Sequence, residues 1–134
     1  MKTKRCINML FVVLVSMVFV SCSWLAKSDD PLLAMNALAI DAERNAKNWS
    51  ASELKEKQDR AVEILGIFND KKKDYDKDDF RTIFNDLQRF GKAIDRTPAD
   101  KELRREGYYD EERSMKEKAQ IISKELAEYY GSLR

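Results

Sequence analysis

The sequence has 134 residues, with 25 Lys and Arg, 24 Asp and Glu, and no histidine. Three of the basic residues lie in the first five positions, so residues 22–134 hold 22 basic and 24 acidic side chains, a formal charge of −2. A body so close to neutral gives no electrostatic reason to expect nucleic-acid binding. Both cysteines, Cys6 and Cys22, lie near the N-terminus, so the rest of the chain lacks a member of any Cys–His pair, Ser-His-Asp triad or ordinary zinc site.

The first 21 residues have the organisation of a secretory signal. A basic start is followed by an apolar run over residues 7–20, and small residues flank Cys22. A basic region, a short apolar region and a small-residue cleavage site in this order are typical of signal peptides. The run is also shorter than the roughly 20 apolar residues that a membrane-spanning helix needs. We therefore predict a signal segment over residues 1–21.

The junction Phe19-Val20-Ser21-Cys22 resembles the lipobox of bacterial lipoproteins, with Phe19 where that family usually has leucine. The resemblance implies that the Cys22 thiol takes a diacylglycerol, that a peptidase cuts before it, and that the new amine is acylated, for example with palmitate. Two or three long chains hold a protein on a bilayer almost irreversibly, because each buried methylene contributes about 0.8 kcal/mol. Ser23 implies the outer membrane, and the leader with its charge-rich body resembles small lipoproteins of Bacteroidota.

Two alternatives for the leader remain open. Residues 7–26 could stay in place as an uncleaved signal-anchor helix, or an ordinary signal peptidase could cut nearby and release the body. Under the lipoprotein interpretation, residues 22–30 are a polar tether. Residues 31–134 then have the size of a single domain with one modest core.

Two amphipathic helices are predicted after the tether. Asp30 and Pro31 are typical of a helix start, because an acidic N-cap precedes a proline that needs no amide partner. Ser50 and Glu53 have the spacing of a capping box at the start of the second helix. Apolar residues recur at three- and four-residue steps in both segments, which indicates one buried face in each. They are Leu32, Met35, Leu38, Ala42, Ala46 and Trp49, then Leu54, Ala61, Leu65 and Phe68.

The acidic residues of 74–79 have two interpretations. Their alternation from position 74 to position 78 resembles a calcium loop, but Asp79 stands where that loop needs glycine and Asn85 where it needs a bidentate glutamate. A helix start explains them better. With Asp76 as N-cap, the acidic residues that follow it lie in the first turn, where they offset the helix dipole.

Three further helices complete the prediction. The third carries an apolar stripe of Phe80, Ile83, Phe84, Leu87, Phe90 and Ile94. Thr97-Pro98 predicts the start of a short helix that ends at Gly107. The last helix is predicted from about Asp110 to Tyr130 with Gly131 as its cap. Its two-heptad seam consists of Met115, Ala119, Ile122, Leu126 and Tyr129.

Two groups of residues are candidates for an interaction surface. The run of Lys71, Lys72 and Lys73 could contact an anionic envelope surface, or it could be a solvated loop. The tyrosine pairs at 108–109 and 129–130 flank the last helix, and adjacent helical residues point about 100° apart, so one of each pair can enter the core. Exposed tyrosines are good interface anchors, whereas tyrosines at a core edge are the structural alternative. The candidates are Tyr108, Tyr109, Tyr130, Lys71, Lys72 and Lys73.

The sequence as a whole predicts an all-α fold. We expect an up-down antiparallel bundle of about four long helices of 18–21 residues plus one short helix, preceded by the signal segment. Acidic residues are expected on exposed faces beside Lys and Arg, without a carboxylate pair on an apolar face, so we predict no enzyme and no cofactor. The predicted function is a membrane-anchored envelope module that binds a protein or glycan. The alternative is a structural spacer that stabilises the envelope.

Overall fold

The computed structural model describes residues 30–110 and 115–132, and every regular element in these two ranges is helical. The predicted signal segment, Cys22 and the tether up to residue 29 lie outside the described residues. The all-α class and the set of four longer helices with one short helix are confirmed. The helices are α1 (Pro31–Asn45), α2 (Ala51–Asp70), α3 (Lys77–Ile94), α4 (Pro98–Arg105) and α5 (Met115–Ser132).

The first four helices begin at the N-caps that the sequence predicts. These caps are Asp30, Ser50, Asp76 and Thr97. The strongest is at α3, where the Asp76 carboxylate accepts the N–H of Asp79 at 2.9 Å and the Asp79 carboxylate accepts the N–H of Asp76 at 3.1 Å. Acidic residues that resemble a calcium loop thus form a reciprocal helix cap. Within residues 30–110 and 115–132, no three His, Cys, Asp or Glu residues are grouped so that they could hold a metal ion.

Two predicted helix ends are wrong. The first helix does not continue to Trp49, because Asn45 leaves helical angles at φ −126° and ψ −10° and a 3-10 turn follows. The Asn45 side-chain amide donates to Asp41 at 2.7 Å, a local bond that asparagine uses in competition with helix continuation. Gly131 does not cap the last helix, which continues to Ser132. Gly107 has φ +75°, so its predicted left-handed conformation is confirmed.

The helices pack around one apolar core. α1 packs against α2 and α3, and α2 packs against α4 and α5, whereas α3 meets α5 over a much shorter stretch. The core includes Met35, Leu65, Phe68, Ile83 and Leu126, which are among its most deeply buried side chains. None of the described helices combines the length and the apolar character needed to cross a bilayer. The thin α3–α5 contact leaves the space in which the candidate site lies.

Candidate functional site

An open groove of about 950 Å³ separates α3 from α5, with α2 and α4 contributing to its walls. Helical periodicity directs the apolar stripe of α3 toward this side, and several members of the stripe are only half-buried because α5 does not cover them. The apolar lining consists of Ala61, Val62, Phe84, Leu87, Phe90, Ile94 and Ala119. The charged lining consists of Lys92, Arg104, Lys116, Asp95, Asp100 and Asp110. The groove therefore combines apolar walls with a rim that carries both positive and negative side chains.

A continuous chain of hydrogen bonds, here called the Tyr109 network, borders the groove. Gln58 on α2 donates through Nε2 to the Tyr109 hydroxyl at 2.9 Å, and that hydroxyl donates to Oδ1 of Asp100 at 2.7 Å. The other oxygen of Asp100 accepts Nε of Arg104 at 3.0 Å and the backbone N–H of Arg96 at 3.1 Å. The Arg104 guanidinium also lies 5.6 Å from the centre of the Tyr109 ring. Tyr109, which lies in the connection between α4 and α5, thus joins α2 to α4.

The network shifts the pKa values of its two acidic members in opposite directions. Burial, strengthened by the bond to the Asp100 carboxylate, raises the pKa of Tyr109 to about 12. Burial alone would raise the pKa of Asp100, but the hydrogen bonds from Tyr109, the Arg96 N–H and Arg104 together lower it below its ordinary value. At neutral pH the tyrosine is therefore protonated and the aspartate is ionised. A protonated phenol donating to a carboxylate is a charge-assisted hydrogen bond.

The predicted lysine run lies at the far end of α2, away from the groove. Lys71 and Lys73 are exposed, whereas Lys72 is half-buried with its ammonium 5.0 Å from the centre of the Tyr129 ring. The backbone carbonyl of Lys72 accepts the Tyr130 hydroxyl at 2.7 Å. Tyr130 is 2% exposed and its ring stacks on Phe80, so the rim position of this tyrosine pair belongs to Tyr129. Burial raises the pKa of Tyr130 to about 12.

The other tyrosine pair lies beside the groove. Tyr109 belongs to the network, and Tyr108 is half-buried with the ammonium of Lys55 5.2 Å from the centre of its ring. The two rings meet edge to face with centroids 5.2 Å apart. Of the six predicted surface residues, Tyr109 alone is a lining residue of the groove. The structure therefore separates them into two regions at different ends of α2.

Two acidic residues lie on buried faces, so the prediction that acidic residues occupy exposed faces is wrong at these positions. Asp100 is 3% exposed and Asp86 is 7% exposed, although both were expected on solvent faces. Each is held by an arginine, with Arg104 3.0 Å from Asp100 and Arg89 2.9 Å from Asp86. An ion pair with additional hydrogen bonds reduces the cost of burying a carboxylate, which helix periodicity alone does not reveal.

Gln58 is the functional candidate that the sequence analysis missed. It lies four positions after Leu54 and three before Ala61, which places a polar side chain inside the apolar stripe of α2. That interruption is a signal that was available in the sequence. The Oε1 atom of Gln58 is buried, and no donor among the described residues lies within hydrogen-bond distance of it.

Comparisons with protein-family models, with curated proteins and with solved structures give no match to this chain.

Proposed function

We propose that this chain is a lipid-anchored protein of the bacterial cell envelope and that its helical body is a non-catalytic binding module. The observation that carries the binding proposal is the groove between α3 and α5. Its volume of about 950 Å³ is at the upper end of the roughly 300–1,000 Å³ typical of ligand sites. Its apolar walls meet a rim of charged and polar side chains, and ligand sites likewise combine apolar walls with polar groups that fix orientation. The lipobox resemblance at Cys22 supports the anchor, and Ser23 supports the outer membrane.

The chemistry of the groove supports binding rather than catalysis. A general base working near neutral pH needs a pKa near 7, whereas the hydrogen bonds to Asp100 lower its pKa. Burial and the bond to Asp100 raise the pKa of Tyr109 to about 12, so it is a poor proton donor at neutral pH. The carboxylate oxygens of Asp100 are already engaged by Tyr109, Arg104 and the Arg96 N–H. These groups hold the groove in shape.

The proposal includes an alternating up-down arrangement of the four longer helices. Short connections between successive helices favour antiparallel neighbours. The Phe80 ring at the start of α3 stacks on the Tyr130 ring near the end of α5, with centroids 5.1 Å apart. Such a contact is expected when two helices run in opposite directions, so it supports the arrangement.

Incorporation of labelled palmitate tests the anchor. We expect label in the wild-type chain and in Cys6→Ala, because Cys6 lies in the segment that is removed. Cys22→Ala should take no label and should keep its leader, because the cut before residue 22 follows lipidation of the thiol. Label retained on Cys22→Ala contradicts the lipobox interpretation. An unlabelled wild-type chain that keeps its leader in the membrane favours the signal-anchor alternative, and an unlabelled wild-type chain released in soluble form favours ordinary cleavage.

Lysine-directed cross-linking in cells, followed by mass spectrometry, tests the binding module. Lys92 and Lys116 line the groove, whereas Lys71 and Lys73 are exposed at the other region. A recurrent partner linked through Lys92 or Lys116 supports binding at the groove. Links confined to Lys71 and Lys73 would indicate that the partner binds at the lysine run and not at the groove. A peptidoglycan-derived peptide as the recurrent product favours the structural spacer instead.

A further inference from the structure

The first ten residues of α1 are uncharged on every side of the helix. Residues 31–40 contain no Asp, Glu, Lys or Arg, although 37% of the residues in the chain are charged. One side of this segment packs into the core through Ala34, Met35 and Leu38. A helix that is apolar all round is normally covered on all sides, by protein or by lipid. The outward side of α1 therefore needs an explanation.

The outward side carries a row of side chains, here called the α1 stripe, spaced at four, three and four residues. The stripe consists of Leu33, Ala37, Ile40 and Arg44. At about 100° of rotation per residue, these four positions fall within an arc of about 60°. Leu33 is 50% exposed and Arg44 is exposed, whereas the two positions between them are half-buried. The stripe is therefore an apolar surface in its first two turns and ends in a cation.

The acidic residues beside the stripe are already engaged by cations of other helices. Asp41 lies 2.9 Å from Lys57 of α2, and Glu43 pairs with Arg89 of α3. Arg44 is thus the charged group that the stripe itself offers. A guanidinium can donate two parallel hydrogen bonds to a phosphate group, which makes arginine well suited to lipid headgroups.

Ile121 of α5 shows that one exposed apolar side chain does not make such a stripe. It is 53% exposed, but its helical neighbours at three and four positions to either side are Glu117, Lys118, Lys124 and Glu125. Single exposed apolar residues of this kind are normal on a protein surface. Leu33 differs because the next two positions on its side of the helix are apolar as well.

The place of α1 in the chain indicates what covers the stripe. Residues 23–30 separate Cys22 from Pro31. Fully extended, eight residues span at most about 29 Å, so a lipid on Cys22 keeps the start of α1 within that distance of the bilayer. Such a link raises the effective concentration of the lipid surface at the stripe. A small apolar area can then stay in contact with lipid, although it would be too small to recruit a free protein.

We propose that the α1 stripe lies on the phospholipid bilayer, with its three apolar side chains at the boundary of the acyl chains and Arg44 at the lipid phosphates. The inference rests on the proposed lipid anchor at Cys22. The 15 residues of α1 span about 23 Å, less than the hydrocarbon thickness of about 30 Å, and the helix is packed on α2 and α3, so it lies along the surface. None of the described residues that line the groove belongs to α1, so this orientation leaves the groove open to a partner.

A matched pair of labelled positions tests the proposal. The mature chain with its lipids is placed in nanodiscs of phosphatidylethanolamine and phosphatidylglycerol, with an environment-sensitive fluorophore on Ala37→Cys or on Ala127→Cys. Ala127 is exposed on α5, and lipidated Cys22 leaves the introduced cysteine as the one free thiol of the mature chain. An interfacial helix buries its apolar face about 5–10 Å, so phospholipids with a nitroxide on the acyl chain should quench position 37 about 2-fold or more and position 127 hardly at all. Equal quenching at the two positions, or quenching at neither, overturns the proposal.

Two substitutions in the Ala37→Cys chain separate the bilayer from other covers. Leu33→Glu brings a charge into the apolar part of the stripe and should abolish the quenching, whereas Ile121→Glu should leave it unchanged. Both positions are about half exposed, so both variants should fold, and far-UV circular dichroism checks this. Quenching that survives Leu33→Glu overturns the assignment to the stripe. A fluorophore at position 37 that reports apolar surroundings without quenching shows that protein covers the stripe, and this also overturns the proposal.

The proposed function and the inference fail on different readouts. Palmitate on Cys22 without quenching at position 37 leaves the anchor and the groove intact and shows that the inference alone is wrong. Quenching at position 37 together with cross-links confined to Lys71 and Lys73 supports the bilayer contact and contradicts binding at the groove. A wild-type chain without palmitate contradicts the anchor and the inference together.

Discussion

The two tyrosine pairs share one pattern of contacts. The second member of each pair turns inward and donates its hydroxyl proton at 2.7 Å, Tyr109 to Asp100 and Tyr130 to the carbonyl of Lys72. The first member lies at the rim with a lysine ammonium over its ring, 5.2 Å from the ring centre for Tyr108 and 5.0 Å for Tyr129. A buried phenol needs a polar partner, and each inward tyrosine has found one.

Removing the Tyr109 hydroxyl should therefore destabilise the fold. Tyr109→Phe leaves Gln58 Nε2 and Asp100 Oδ1 without the partner that each now has, at an expected cost of about 1–3 kcal/mol. Tyr129→Phe is the matched control, because it removes a hydroxyl from a half-buried rim tyrosine and should change stability by about 0.5 kcal/mol or less. Urea unfolding at pH 7 measures both. Equal effects of the two substitutions would contradict the structural role of the network.

The raised pKa of Tyr109 predicts a loss of stability at alkaline pH. Burial and the bond to Asp100 raise its pKa from 10.0 to about 12, so the folded protein holds this proton where the unfolded chain has released it. The resulting stabilisation is complete below pH 10 and declines as the pH rises toward 12. Tyrosinate absorbance should show Tyr109 and Tyr130 among the last to ionise, and Tyr109→Phe should remove one late-ionising group. A Tyr109→Phe chain with an unchanged late phase would refute the assignment.

At the scale of the helix, starts follow local rules better than ends do. An N-cap needs one side-chain oxygen and the N–H two or three positions later, so Asp30, Ser50 and Thr97 could be recognised from adjacent residues alone. The end of α1 depends on the local bond between Asn45 and Asp41, which competes with a periodic apolar pattern that continues beyond it. Periodicity indicates which face is buried, and it leaves the last turn undetermined.

Two glycines should respond in opposite directions to the same substitution. Gly107 follows α4 at φ +75°, where a side chain is strained, so Gly107→Ala should destabilise by about 1 kcal/mol. Gly66 lies inside α2 with no atom within 4 Å of an added Cβ, so Gly66→Ala should stabilise by about 0.5–1 kcal/mol. Thermal unfolding of the two variants checks the signs. A stabilising Gly107→Ala would show that this turn does not need the left-handed conformation.

At the scale of the molecule, the helices were predictable and the site was not. Apolar stripes and caps are encoded by neighbours within about one turn, whereas the groove results from how far α5 stands from α3. The Tyr109 network joins residues 51 positions apart in Gln58 and Tyr109, a separation that no local pattern encodes. Gln58 interrupts an apolar stripe, and that interruption marks an inward polar side chain without naming its partner. The burial of Asp100 could not be predicted from local patterns either, since it depends on contacts with Tyr109 and Arg104.

The prediction that residues 31–134 form a single domain can be tested through Leu126. This side chain of α5 is fully buried, so Leu126→Ala should cost about 2–5 kcal/mol, a large share of a total stability of about 5–15 kcal/mol. Ile121→Ala on the same helix is the control, because Ile121 is 53% exposed and its truncation should cost about 0.5 kcal/mol or less.

Trp49 reports whether that loss reaches the other end of the chain. It is buried at the junction of α1 and α2, and in a Trp24→Phe background it is the one remaining tryptophan. In a single cooperative domain, Leu126→Ala shifts the urea midpoint of Trp49 fluorescence and of far-UV circular dichroism by the same amount. If α5 unfolded separately, the dichroism would lose part of its signal at low urea while Trp49 kept its wild-type midpoint. The helix α2 contacts both α1 and α5. A loss of stability at Leu126 should therefore also lower the stability of the packing around Trp49, and we expect the two transitions to coincide.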